Sequence, residues 1–323
     1  MKKTAVLVLF LAFCILFSGA AQAIEESNSS IRFAKIQKYI SQLSEKKSAQ
    51  HAGIELVGEG GRTVPFLILF LSNPDGKSSA KVMAVNILGE IKSDKATDAL
   101  IEVLEKGSVK MRRAAAKSLG KIGDKKALQI LKKSLKDSDS TVRFNVVRSI
   151  SQIGDPSAAE ALKIVLADPN SNIRQQAVMA LGKMKYKGAI GELSKMTNDP
   201  VSNIRLELVL ALGNIGDKEC VPAIGKLVHD SYPIVRLNAI KALGHIKSEE
   251  SLEILLKAAQ SKKRDIRYSV AIGLGEQGYP QAIPTLQSLL IDENTNIKIA
   301  AAMSLEDIGT PQAKDALRTV LND

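Results

Sequence analysis

MRRAAAKSLGKIGD at residues 111–124 is followed by VRFNVVRSISQIGD at 142–155, IRQQAVMALGKMKY at 173–186, IRLELVLALGNIGD at 204–217, VRLNAIKALGHIKS at 235–248 and IRYSVAIGLGEQGY at 266–279. Each segment opens with an apolar residue and then an arginine, and Arg112, Arg143, Arg174, Arg205, Arg236 and Arg267 are all 31 residues apart. The same step reaches Lys81 in AKVMAVNILGEIKS and Lys298 in IKIAAAMSLEDIGT, so eight basic residues share one period without an insertion. A fixed period of this length marks a stack of supersecondary units.

The unit can be read outward from the basic column. Seven residues on stand Leu88, Leu119, Ile150, Leu181, Leu212, Leu243, Leu274 and Leu305, with small or aliphatic residues three and four on. Offsets of 0, 3, 4 and 7 lie on one face of an α-helix. A turn follows, often Gly-Asp as at Gly123-Asp124, Gly154-Asp155 and Gly216-Asp217. There glycine closes one helix and aspartate caps the next. A second helix shows its own apolar face, as in Ala127, Leu131 and Leu135 or Ala158, Leu162 and Leu166. One such pair cannot bury both faces alone, so it stacks on its neighbours. The expectation is an all-α chain, an α-α superhelix of about nine helical hairpins. It spans residues 50–323, with residues 50–80 as a degenerate first repeat in which Gly58 matches Gly89. Ile31 to Leu43 reads as a helix capping that end, within a lead and cap covering residues 24–49.

This pattern resembles the HEAT-like repeats of the phycocyanobilin-lyase type, whose units read roughly V-R-x-x-A-x-x-A-L-G-x-I-G-D. The resemblance implies an α-solenoid over nearly the whole chain. It implies little about function, because one fold hosts many functions.

The N-terminus reads as an export leader of residues 1–23. Lys2 and Lys3 supply the positive start, Ala5 to Phe17 the apolar core, and Ala21-Gln22-Ala23 the cleavage site. A lipoprotein signal ending at Cys14 is the weaker reading, since bulky Phe13 precedes it and apolar residues continue after it. The next apolar run, VPFLILFL from Val64 to Leu71, is too short to span a bilayer. The expected location is the periplasm or the outside of the cell. Without Lys2 and Lys3 the chain carries 43 basic against 34 acidic residues, a net +9. Such an excess suits nucleic acid in a cytoplasm. After export it points instead to acidic proteins, anionic headgroups or envelope polymers. Cys220 is then the only cysteine, so no intramolecular disulfide is expected.

Several columns read as structural. An aspartate stands six residues before the basic residue in most repeats: Asp75, Asp137, Asp168, Asp199, Asp230 and Asp292, with Lys106 and Ser261 as the departures. Arginine in a helix's first turn opposes the helix dipole and calls for a carboxylate, which it can grip in bidentate fashion. In similar repeat families this Asp/Arg pair forms a ladder between units. For Arg174 the candidate carboxylates are Asp168 and Asp199. The glycine column of Gly89, Gly120, Gly182, Gly213, Gly244 and Gly275 reads as a place of close helix approach. Cys220 shares its column with Ala96, Ala127, Ala158, Ala189, Ser251, Ala282 and Ala313, which makes it a small buried packing residue.

Enzymatic readings find little support. His51, His229 and His245 fall in unrelated columns, and no His-Glu pair occurs. The HEAT-like hydroxylases that hold two irons use repeated His-Glu motifs, and such a site needs several N/O ligands converging. No cofactor or metal is expected. Bilin lyases share the repeat class, but no chromophore pocket is marked here. HEAT-like DNA glycosylases need a basic groove with aromatics, and this chain has no Trp. What remains is a binding surface. Lys133, Lys195, Lys226 and Lys257 stand 21 residues after their ladder arginines, with Ile164 interrupting the row. On stacked second helices they would form a basic stripe able to meet an acidic protein. Lys262-Lys263-Arg264 forms a second basic cluster, and Tyr186 and Tyr279 occupy turn positions as possible contact aromatics. The expected role is a non-enzymatic scaffold for a protein partner.

Overall fold

A computed structural model describes residues 29–321, and every regular element in them is helical. The leader read at residues 1–23 lies outside the described residues, as does its cleavage site. The described chain forms two compact units, one running to Ala127 and the other starting at Leu128.

In the first unit, α1 (residues 29–42) precedes two helical pairs and the first helix of a third. The pairs are α2 (Ala49–Glu59) with α3 (Val64–Ser72) and α4 (Ser78–Ile91) with α5 (Thr97–Lys106), followed by α6 (Val109–Ile122). α1 buries Ile36 and fastens to α2 through Lys35 Nζ to Glu59 at 3.2 Å and Tyr39 OH donating to Glu55 at 3.1 Å. Its Phe33 ring meets Phe66 of α3 edge-on at 5.3 Å.

The second unit opens with the second helix α7 (Leu128–Ser134). Five pairs follow: α8 (Ser140–Ile153) with α9 (Ala159–Leu162), α10 (Ser171–Lys183) with α11 (Ile190–Ser194), α12 (Ser202–Ile215) with α13 (Val221–Leu227), α14 (Pro233–His245) with α15 (Glu249–Ala258), and α16 (Arg264–Gln277) with α17 (Ile283–Leu289). α18 (Thr295–Ile308) and α19 (Pro311–Leu321) close the chain. The architecture is the expected all-α solenoid. First helices stack directly on first helices: α8, α10, α12, α14, α16 and α18 run side by side.

Turn chemistry explains the regular spacing. Gly123, Gly154, Gly216, Gly278 and Gly309 end their helices in the left-handed conformation, which glycine adopts without steric cost. Asp155 and Asp217 then accept from the main-chain N–H of Ser157 and Glu219 at 2.9 and 3.0 Å. Second helices are shorter than the apolar pattern suggests and begin in 3-10 turns such as Pro156–Ala158 and Lys218–Cys220.

The core follows the columns. The Leu/Ile column from Leu88 to Leu305 has no exposed surface, and neither does the Ala column that includes Cys220. Each buried leucine contributes roughly 1.5–3 kcal/mol relative to leaving it in water. The glycine column is where backbones meet. A Cβ on Gly182 would lie 2.6 Å from Cα of Ala211, and one on Gly89 would lie 2.8 Å from Cα of Ser118. The small residue opposite is used as well: Ser118 Oγ donates to Val85 O at 2.9 Å, and Ser304 Oγ donates to Ala271 O at 2.8 Å.

Candidate functional site

Four arginines of the column pair with carboxylates of the following repeat. Arg143, Arg174, Arg205 and Arg267 grip Asp168, Asp199, Asp230 and Asp292 through Nε and Nη2, with all eight contacts between 2.6 and 3.1 Å. The carboxylate belongs to the following repeat, 25 residues on. The aspartate of the same repeat serves through its main-chain carbonyl instead: Arg143, Arg174 and Arg205 donate Nη1 to the carbonyls of Asp137, Asp168 and Asp199 at 2.7–2.9 Å. Arg112 donates Nη1 to Gly107 O at 3.2 Å.

Arg236 is the exception. Ser261 stands where its aspartate should be, and Asp265 in the first turn of α16 takes over, accepting from Arg236 Nε at 2.9 Å and also from Nη2. The Arg205 and Arg267 guanidinium groups hold the carboxyls of Asp230 and Asp292 below the usual carboxylate range. In these repeats the ladder groups bond to one another.

The other sequence candidates scatter. Cys220 is fully buried, and burial pushes its thiol up to about 11, which disfavours the thiolate at neutral pH. His51 lies edge-on to Tyr39 at 6.1 Å, and His245 Nδ1 lies 3.7 Å from Glu276. Among the described residues, no three His, Cys, Asp or Glu side chains are placed to share a metal ion. Tyr186 donates its OH to Glu160 at 2.7 Å, and Tyr279 is half-buried. Lys133, Lys195, Lys226 and Lys257 are all exposed on the second-helix side of the second unit. Lys257 is paired with Glu253 four residues back at 2.6 Å.

The feature that sequence reasoning missed lies on the first helices of the same unit. Met179 of α10, Leu210 of α12, and Ile234 and Leu237 of α14 are 41–50% exposed. The face continues with Tyr268 and Ile272 of α16 and with Ile299 and Met303 of α18, the last being 60% exposed. Seven of these eight stand one or five residues after a ladder position, so they share one helix face. Adjacent helices lie about 8–10 Å apart, so these side chains form an apolar stripe, broken in the five-residue column of α14 by the exposed Lys241. By contrast, Ile164 is the only large apolar side chain exposed on the second-helix elements of this unit, among the described residues. The signal was present in the sequence: these helices are apolar beyond the stripe their core requires.

Comparison with known proteins follows the same repeat. The profile of HEAT repeats matches residues 64–144, 134–207, 192–272 and 260–323. The chain belongs to the HEAT-repeat family. No curated protein sequence matches it. Among solved structures, this HEAT-repeat chain is similar to an engineered protein at 20% identity, with 88% of this chain and 92% of that one covered and a TM-score of 0.54. It is also similar to YIBA of E. coli at 20% identity, with 82% and 97% covered and a TM-score of 0.52. The CpcE–CpcF complex of phycocyanin lyase from Nostoc matches at 24% identity over 80% and 93%, with a TM-score of 0.35. At these identities the likeness concerns the fold. Among the described residues no helix is long and apolar enough to cross a membrane.

Proposed function

We propose that this HEAT-repeat protein is a non-enzymatic scaffold that binds a protein partner through the first-helix face of its second unit. The observation that carries this reading is the exposure of Met179, Leu210, Leu237, Ile272 and Met303 on the same side of stacked helices, with Lys241 standing among them on α14. Soluble proteins rarely leave an extended apolar patch in water unless something covers it. The leader at residues 1–23 supports export and cleavage after Ala23, which puts partner and scaffold in the periplasm or outside the cell. N-terminal sequencing of the mature protein should then begin at Ile24, and a lipid-modified Cys14 would reject release.

A second reading rests on the four exposed lysines of the second helices, which suit an acidic protein, an anionic lipid or an envelope polymer. Photo-crosslinking separates the two. A photoreactive residue at position 179 or 237 should capture one partner in the native compartment, and one at position 195 should not. Capture at 195 alone would move the binding face to the lysines.

A further inference from the structure

The apolar stripe deepens into a groove of about 370 Å³ between α16 and α18. Tyr268 and Ile272 form one wall, Ile299 and Met303 the other, and Ala300 and Ser304 the floor. The groove runs along the helices, and its two ends differ in charge. At the N-terminal end of α16 stand Lys262, Lys263 and Arg264, all exposed and outside any ion pair among the described residues. The two carboxylates beside them are engaged: Asp265 pairs with Arg236, and Glu293 lies 3.3 Å from Arg267. At the other end Glu276 and Asp307 line the groove. His245 approaches Glu276 at 3.7 Å, and Asp307 makes no ion pair among the described residues. Arg264 and Glu276 are twelve residues apart on one helix, about 18 Å at 1.5 Å per residue.

Resting on the protein-partner reading above, we infer that this groove takes an amphipathic helical segment of the partner. Its three or so apolar side chains lie at i, i+4 and i+7, with a carboxylate cluster at one end and a basic cluster at the other. The apolar walls accept the side chains. The charged ends fix the direction in which the helix lies, because like charges brought together oppose binding. A helix of about 12–14 residues, roughly 18–21 Å long, spans both ends. The Lys262–Arg264 cluster directly follows Ser261, where the repeat departs from its ladder aspartate.

The experiment uses the mature chain and three fluorescent helical peptides that share the same three leucines. One has two Glu at one end and two Lys at the other, one has Glu at both ends, and one has Lys at both. By fluorescence anisotropy the mixed peptide should bind about tenfold more tightly than either of the others, about 1.4 kcal/mol. Its version with serine for leucine should not bind. The Lys262→Glu, Lys263→Glu, Arg264→Glu variant should invert the order and prefer the Lys-ended peptide. Binding indifferent to the end charges, or to loss of the leucines, would overturn the inference. So would a concentration-dependent dimer abolished by Ile272→Asp, or vesicles of anionic phospholipid bound through the same three cations. If no peptide binds while positions 179 and 237 still crosslink a partner, this occupant is wrong and the binding face stands. If the crosslinks fail as well, the face itself is wrong.

Discussion

Arg174 grips Asp199 of the next repeat with Nε and Nη2 at 2.9 and 3.1 Å, and the main-chain carbonyl of that same aspartate accepts Arg205 Nη1 at 2.7 Å. One residue therefore receives an arginine from the repeat before it and an arginine from its own. Its Oδ1 also accepts from Val201 N–H at 2.9 Å, fixing the entry to α12. The 31-residue period is enforced at each such node, because an insertion on either side would pull the guanidinium off its carboxylate.

Removing one partner tests this node. Arg174→Ala leaves the Asp199 carboxylate, whose side chain is 6% exposed, without its counter-ion. The loss of hydrogen bonds to a charged group costs roughly 1.5–3 kcal/mol. Arg174→Lys keeps the charge but not the two-pronged geometry, so it should fall between wild type and alanine. Urea melts of the three proteins give the order. Wild-type stability in Arg174→Ala, with partner binding lost, would make the column functional after all.

Acid should unfold the second unit by the same route. The carboxyls of Asp230 and Asp292 titrate below their ordinary value because Arg205 and Arg267 hydrogen-bond them. The unfolded chain thus binds more protons in this range, and stability rises with pH there. The contribution is complete above the unfolded aspartate value of about 3.9 and is lost as pH falls through the lower folded values. Thermal melts of wild type should drop between about pH 5 and pH 2. Asp292→Asn should start lower and drop less over that window. Parallel curves for the two proteins would remove Asp292 from the linkage.

The fold was legible because its determinants repeat. The Leu119 and Ala127 columns, the Gly182 column and the ladder spacing each recur often enough to be read without coordinates. The ladder's wiring was only half legible: spacing offered Asp168 and Asp199 to Arg174, and three-dimensional stacking decides between their carboxylates. Substitutions answered elsewhere in space were not legible. Asp265 replaces the missing aspartate at Ser261. Gln277, in a column of isoleucines, reaches Leu243 O at 2.9 Å and Ser251 Oγ at 2.7 Å, where Ser251 stands among alanines. The exposed apolar stripe was not legible because a leucine such as Leu210 reads the same whether it faces a core or water. Only the relative placement of neighbouring helices distinguishes the two.

Two glycines make a matched pair for packing. A Cβ on Gly182 would fall 2.6 Å from both Cα and Cβ of Ala211, whereas one on Gly191 would meet nothing within 4 Å. Gly182→Ala must push α10 and α12 apart, and overpacking of this kind typically costs about 1–3 kcal/mol. Gly191→Ala, in the helical stretch Ile190–Ser194, should be neutral or stabilising by up to about 1 kcal/mol, through a less flexible unfolded chain. Calorimetry on both variants reads the difference. Equal effects would show that the glycine column reflects turn chemistry and not close approach.

The last prediction weighs the two exposed faces against each other in one protein. Leu210→Gln with Leu237→Gln removes apolar surface from the first helices while keeping good helix formers. Lys195→Glu with Lys226→Glu reverses charge on the second helices. All four side chains are exposed, and exposed changes of this kind usually move stability by less than about 0.5 kcal/mol. Equal melts therefore serve as the control. Burying a leucine side chain is worth roughly 1.5–3 kcal/mol when complete. The glutamine pair, replacing leucines that are 41% and 45% exposed before binding, should accordingly weaken the partner captured at position 179 by about ten- to a hundredfold, chiefly through faster dissociation. The glutamate pair acts over distance through charge, which salt screens with a Debye length of about 8 Å near 0.15 M. It should slow association modestly and flatten its salt dependence while leaving dissociation alone. Surface plasmon resonance at two ionic strengths resolves both rates. If the glutamate pair abolishes binding and the glutamine pair leaves both rates at wild-type values, the lysine row is the binding face and the apolar stripe is not.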